Sequence, residues 1–238
     1  MLKIKERVEG IRERIAAAAL RVGRDPGKVL LVAVAKTFPA SAIQEAIAAG
    51  INHIGENRVQ EARAKIPEVD APCEWHMVGH LQTNKARLAV RLFDWIQSLD
   101  SLKLAHELEK AGFGLGKRVR VFVEVNLAQE PSKTGVAERE LFPLLEKAGS
   151  FPHVRLEGLM AMPPYEPNPE AVRPFFQQLC RLRDEAASRF PHLTLTHLSM
   201  GMSHDFEVAV EEGATMVRIG TAIFGDRPTP KNARRLGG

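Results

Sequence analysis

Hydrophobic residues along this chain take two arrangements: short unbroken apolar runs, and longer stretches in which apolar positions recur every three or four residues. The runs occupy 29–36, 51–55, 74–79, 93–99, 118–126, 154–160, 194–199 and 215–219. A strand buried on both faces carries apolar side chains at successive positions, so these runs read as strands of a parallel sheet. The periodic stretches cover 40–49, 57–65, 81–91, 101–111, 138–148, 169–189 and 203–212, with a last turn after Gly220, and predict helices laid over that sheet. Another helix precedes the first run. Ile4, Val8, Ile11, Ile15 and Val22 mark one face of it, and Gly23 with Asp25-Pro26 ends it.

Eight strands alternating with helices are the rhythm of a barrel closed by right-handed crossovers. A doubly wound open sheet has the same local rhythm, but the count of eight and the length of 238 residues favour the barrel. The expected fold is therefore α/β, a single (β/α)8 TIM barrel with an extra N-terminal helix, and residues 1–238 read as one domain. The Pro-rich stretch 162–169 falls between the sixth strand and its helix, so it reads as a rim loop and not as a boundary. Asn168-Pro169 looks like an N-cap followed by Pro in the first turn, with Pro174 leaving room for a restart near Arg173.

The run Leu30-Leu31-Val32-Ala33-Val34-Ala35-Lys36 is uncharged until its last residue. At period two, Lys36 shares a face with Leu30, Val32 and Val34, which aims its amine at the C-terminal rim where parallel α/β folds hold ligands. Partial desolvation there lowers a lysine's pKa and makes it nucleophilic toward aldehydes. Taken alone, a lysine that snorkels to water explains the position as well.

Two loops change that balance. Ser199-Met200-Gly201-Met202-Ser203 opens onto a helical pattern, and Val217-Arg218-Ile219-Gly220-Thr221 follows the last strand. Small, hydroxylated and glycine residues at such places suit a phosphate, and barrels often hold phosphate on the loops after strands seven and eight. Simple capping by Ser203 is the plainer alternative. Arg218 near the end of a barrel strand needs an acceptor, either a ligand or a buried carboxylate such as Glu124. Asn57, in Gly55-Glu56-Asn57, falls on the same rim as a ligand contact or a helix cap. Lys133, in Ser132-Lys133-Thr134-Gly135, is a second amine near that rim and reads as a solvated loop lysine.

Composition narrows the classes. A net charge of +4 is partly explained by the tail Lys231 to Arg235, and no basic stripe with interleaved aromatics points to nucleic acid. No apolar stretch is long enough for a membrane span. The two cysteines, Cys73 and Cys180, have no metal or redox spacing and suit a reducing compartment, so a cytoplasmic location is expected. His76 and His80 have a spacing that binds zinc on a helix, but here they flank a strand end, so no metal is expected. Gly112-Phe113-Gly114-Leu115-Gly116-Lys117 lacks phosphate-loop spacing, lies on the wrong rim, and reads as a flexible connector.

The chain resembles the pyridoxal phosphate homeostasis proteins, relatives of the N-terminal barrel of alanine racemase. The resemblance rests on Val34-Ala35-Lys36-Thr37, Gly55-Glu56-Asn57, Trp75-His76-Met77-Val78-Gly79-His80-Leu81-Gln82, Ser132-Lys133-Thr134-Gly135, Gly158-Leu159-Met160, Leu198-Ser199-Met200-Gly201-Met202-Ser203 and Val217 to Gly225. It implies a Schiff base between Lys36 and pyridoxal 5'-phosphate. It also implies phosphate held by Ser199, Gly201, Met202, Ser203, Gly220 and Thr221, with Arg218 at the ring nitrogen. An arginine leaves that nitrogen unprotonated, which weakens the ring as an electron sink. Racemases of this likeness also use a tyrosine from an additional β-domain, whereas this sequence has one tyrosine, Tyr165.

The implied function is binding, storing and delivering the cofactor with little or no catalysis, as a monomer, with pyridoxal phosphate enzymes lacking cofactor as recipients and no membrane or nucleic acid involved. An amino-acid racemase is the alternative, and a Schiff-base aldolase acting on a sugar phosphate is a third class.

Overall fold

The computed structural model describes residues 3–130 and 133–226. The tail Lys231 to Arg235 and Ser132 therefore lie outside the described residues. The strands are β1 (Leu30–Val34), β2 (His53–Glu56), β3 (Glu74–Met77), β4 (Trp95–Leu99), β5 (Val119–Glu124), β6 (Val154–Met160), β7 (His197–Ser199) and β8 (Met216–Ile219). They form a closed parallel barrel in sequence order, with β8 returning to pair with β1. The helices are α1 (Ile4–Arg21), α2 (Ala40–Ala48), α3 (Val59–Lys65), α4 (Ala86–Leu92), α5 (Leu102–Leu115), α6 (Glu138–Ala148), α7 (Arg173–Arg189), α8 (Phe206–Glu211) and α9 (Thr221–Phe224). The expected (β/α)8 barrel with an additional N-terminal helix is the observed fold.

Strand alternation divides the apolar residues between two cores. Leu31, Ala33 and Ala35 face outward into the layer between strands and helices. Val32 faces inward with Trp95, Phe122, Met160 and Met216, and Leu30 packs against them. These inner side chains fill the barrel, so it is a packed core and not a pore. Outside, α1 buries Val8, Ile11 and Ile15, each contributing roughly 1.5–3 kcal/mol by leaving water. Polar links anchor the same helix. Arg14 pairs with Glu207 at 2.9 Å, Arg21 with Glu211 at 2.7 Å, and Arg7 donates to the Ile223 carbonyl at 3.2 Å. The N-terminal helix thus braces α8 and α9, the two elements that follow the predicted phosphate loops.

Several boundaries differ from the pattern, for local reasons. The first run stops pairing after Ala35, whose amide still reaches the Gly55 carbonyl at 2.9 Å, and the chain then turns as the Phe38 amide returns to the Ala35 carbonyl at 3.1 Å. Lys36 therefore occupies a corner beyond β1 and is not its last paired residue. The stretch 112–117 is not a connector. α5 continues through it to Leu115, and Gly116 closes the helix at φ 61°. Gly112 lies where a Cβ would meet the His153 Cβ at 2.7 Å, so the glycine serves packing against the start of β6. The helix expected from 203 begins only at Phe206. Asn168 caps a 3-10 turn at Pro169–Val172, and α7 restarts at Arg173 with Pro174 in its first turn.

Candidate functional site

Because every strand runs the same way, the side chains at their C-terminal ends converge on one rim. A cavity of about 430 Å³ opens there, and Lys36, Asn57, Met202, Ser203, Arg218, Gly220 and Thr221 all line it. Seven predicted positions, scattered from the first strand to the last, thus share one pocket. Its size falls within the range of small-ligand sites.

Ser199 and Gly201 stand behind the wall and not in it. Ser199 is fully buried in β7, where its hydroxyl donates to Gln97 Oε1 at 2.6 Å and accepts from Arg218 Nη1 at 2.6 Å. A hydroxyl held by both neighbours positions the arginine, and the Ser199 side chain stands behind the cavity wall. Gly201 adopts φ 90° and packs where a Cβ would lie 2.6 Å from the Ala209 Cβ, so it shapes the loop. Lys133 lies outside the cavity and pairs with Glu130 at 2.7 Å.

Arg218 forms the inner end of the site. It is 4 % exposed, and its second donor reaches the Ala161 carbonyl at 2.9 Å. Burial pulls its pKa down to about 10, while Glu124 and Asp205 pull it upward, so it remains a cation at neutral pH. The carboxylate expected near it is therefore present. Glu124 accepts from Thr134 Oγ1 at 2.8 Å, and burial raises its pKa against the opposing effects of Thr134 and Arg218. Two fixed donors on Arg218 explain how a charged side chain is tolerated inside a barrel.

The two loops meet at one end of the cavity. Ser203 does not cap α8. Its hydroxyl instead accepts from the Ala222 amide at 3.3 Å, joining the loop after β7 to the first turn of α9. Asp205, which no sequence motif marks, accepts from the Met202 amide at 2.6 Å and fixes that loop. Gly220 sits against β1, where a Cβ would approach the Val34 carbonyl at 3.3 Å. Phe38 stacks on Phe224 at 5.0 Å and closes the seam between the Lys36 corner and α9. Asn57 precedes Arg58, the residue at the N-cap of α3, and lines the cavity without capping that helix.

Three further contributors take their roles from tertiary approach, which the sequence does not show. At Gly79 a Cβ would fall 2.4 Å from the Asn57 carbonyl, so only glycine lets the end of β3 pass this close to the end of β2. His80 lines the cavity and pairs with Asp100 at 3.1 Å. His204 packs its ring against Tyr165 at 5.2 Å and contacts the Glu166 carbonyl at 3.0 Å, holding the Pro-rich loop over the opening.

Residues 8–228 match the profile of the alanine racemase N-terminal domain. A pyridoxal phosphate homeostasis protein of Aquifex aeolicus is 45% identical over 223 residues, covering 93% of this chain and 97% of its own. One from Escherichia coli K12 is 42% identical over 237 residues, covering 97% and 100%. The solved structure of PipY from Synechococcus elongatus with pyridoxal phosphate bound aligns with TM-score 0.80 and 41% identity over 90% of this chain and all, 100%, of that one. An alanine racemase of Clostridium difficile aligns with TM-score 0.67 at 14% identity, over 92% of this chain and 57% of its own, which is a likeness of fold. With the barrel, the rim lysine and the buried arginine in place, this chain belongs to the alanine racemase N-terminal domain family, among its pyridoxal phosphate homeostasis members.

Proposed function

We propose that the protein binds pyridoxal 5'-phosphate covalently through Lys36 and serves to store and deliver it, with at most trace catalysis. The observation that carries this reading is the joint presence in one cavity of Lys36, Arg218 and the paired loops at Met202-Ser203 and Gly220-Thr221. The donor set fits the group: an amine for an aldehyde, a buried cation for a ring acceptor, and hydroxyl and amide donors where the loops meet. When bound, the cofactor supplies a ring that can draw electrons from a substrate carbon. The chain's own contribution is to limit that chemistry. Arg218 carries a charge it does not release at neutral pH, so it would hold the ring nitrogen as a hydrogen-bond donor and would supply it no proton.

Tyr165 supports the racemase as a second reading, since it too lines the cavity. It is 76% exposed, however, and an acid/base group on so open a loop is poorly fixed for proton transfer. Cys73 and Cys180 are both free, and we assign the protein to the reducing cytoplasm.

The test is direct. Wild type loaded with pyridoxal phosphate should show a visible absorbance band that borohydride removes, leaving the cofactor's mass on Lys36, and Lys36→Ala should lack the band. Labelling of a different lysine with Lys36 bare overturns the assignment.

A further inference from the structure

The opposite end of the barrel carries a second constellation of polar groups. Among the described residues, one group of His, Cys, Asp and Glu side chains converges closely enough to hold a metal ion: His53, Glu74 and His76, with ligand atoms all within 4.8 Å of one another. His53 and Glu74 begin β2 and β3, so they lie on the N-terminal rim, away from Lys36. His76 reaches the same point from inside the barrel, where it is fully buried.

Two of the separations among these ligand atoms suit a coordination shell. His53 Nδ1 lies 3.1 Å from His76 Nε2 and 3.5 Å from Glu74 Oε2. Ligand bonds of about 2.0–2.1 Å in a tetrahedral site place neighbouring ligand atoms roughly 3.3–3.4 Å apart, and the two observed separations bracket that value. The three groups are held in place before any ion arrives. Trp95 Nε1 donates to Glu74 Oε2 at 2.6 Å, and Arg120 donates to Glu74 Oε1 at 2.9 Å. His76 stacks on Trp95 at 5.4 Å and meets Gln97 through its other nitrogen at 2.9 Å. Ligating histidines donate their distal N–H to an acceptor. Here Gln97 Nε2 faces His76 Nδ1, so ligation through Nε2 requires the other His76 tautomer and a turned Gln97 amide, which would also reverse the Ser199 contact to Gln97. Access is also provided, since the Glu74 side chain is 40% exposed and the His53 side chain 18% exposed. Water could therefore take the remaining coordination position.

We propose that His53, Glu74 and His76 form a binding site for a divalent transition-metal ion of the zinc type. Two imidazoles and one carboxylate select such an ion over magnesium or calcium, which prefer all-oxygen shells. The ion would tie the start of β2 to β3. The N-terminal end of such a barrel is where stabilising features sit, and the site is distinct from the cofactor cavity.

Equilibrium dialysis of the untagged full chain against Zn²⁺, after chelator treatment, tests this through the metal content of the retentate. One ion per chain should be retained, and millimolar Mg²⁺ should not displace it. His53→Gln and Glu74→Gln should each weaken binding at least about tenfold, the lower end of the loss seen when even a supporting residue of a metal site is removed. His192→Gln, outside the converging group, should leave binding unchanged. The two rim variants carry the test because His76 is in the core. Thermal unfolding would establish that both are folded. Absence of a bound ion overturns the proposal, as does displacement by Mg²⁺. Undiminished binding in either rim variant also overturns it, by showing adventitious binding elsewhere.

Discussion

Thr37 is the residue at which the fold works against local preference. It follows Lys36 in the turn after β1 and adopts φ 68°, a conformation that favours glycine or asparagine and penalises a β-branched side chain. The exposed Thr37 gains one contact in return, its amide lying 3.3 Å from Glu61 Oε2. Such strain beside a reactive group fixes the direction of the neighbouring side chain. Thr37→Asn should therefore stabilise the protein by about 1 kcal/mol, within the cost of ~1–2 kcal/mol for a left-handed residue. Urea unfolding would report it as a higher midpoint at unchanged slope, and an equal or lower midpoint would refute the strain argument. The place of Lys36 on the cavity rim was legible in sequence, because a lone charge ends an apolar run. The strain was not, because a turn's φ depends on where pairing with β2 stops.

At the scale of elements, the loops after β7 and β8 behave as one unit. Ser203 bonds to the Ala222 amide, and α1 braces both following helices. If this unit holds the phosphate, several charge-assisted hydrogen bonds act together, each contributing ~1.5–3 kcal/mol. Pyridoxal lacking phosphate should then bind at least about a hundredfold more weakly, a difference of ~2.7 kcal/mol, in a titration against the phosphorylated form. Equal affinities would remove these loops from the site. Both loops were legible from composition. The task of Ser199 was not, because only the closed barrel brings Gln97 and Arg218 to its hydroxyl.

The whole molecule joins its two ends through a buried polar chain. From Arg218 it passes through Ser199 and Gln97 to His76, and then to His53, with links of 2.6, 2.6, 2.9 and 3.1 Å. His197 lies nearby, packed edge-on to Trp95 at 5.6 Å, and burial lowers its pKa, with Arg120 adding to the effect. A histidine depressed in the folded state contributes stability that is present above its unfolded value of ~6.5 and is lost as pH falls toward the folded value. Buried carboxylates with raised values, Glu56 and Glu124 among them, oppose this on acidification. The informative quantity is therefore a difference. The unfolding free energy of wild type minus that of His197→Gln should decline from about pH 7.5 to about pH 5, a window spanning that unfolded value, and a flat difference would contradict the assignment. At the same scale, an exposed Tyr165 and a charged Arg218 argue against efficient turnover. Loaded protein mixed with L-alanine should show at most trace racemisation by chiral chromatography. Turnover near the enzyme median of ~10 per second, removed by Tyr165→Phe, would establish the racemase instead.

The sequence alone determined the features that local periodicity encodes. Uniformly apolar runs specified strands covered on both faces, the 3.6-residue pattern specified α1 and the outer helices, and eight repeats specified the barrel. Because parallel strands place their C-terminal ends on one rim, the run ending at Lys36 and the loops at Met202-Ser203 and Gly220-Thr221 were enough to point to one pocket. The tertiary structure decided the features that depend on approach between distant segments. Gly79 is required because the end of β2 passes within contact of it, Gly112 because the start of β6 does, and Ser199 turns inward because its partners arrive from β4 and β8. His76 shows the division most plainly. Its spacing from His80 was set aside because the two flank a strand end, while the barrel sets it beside His53 and Glu74, a grouping that strand register creates and no local spacing encodes.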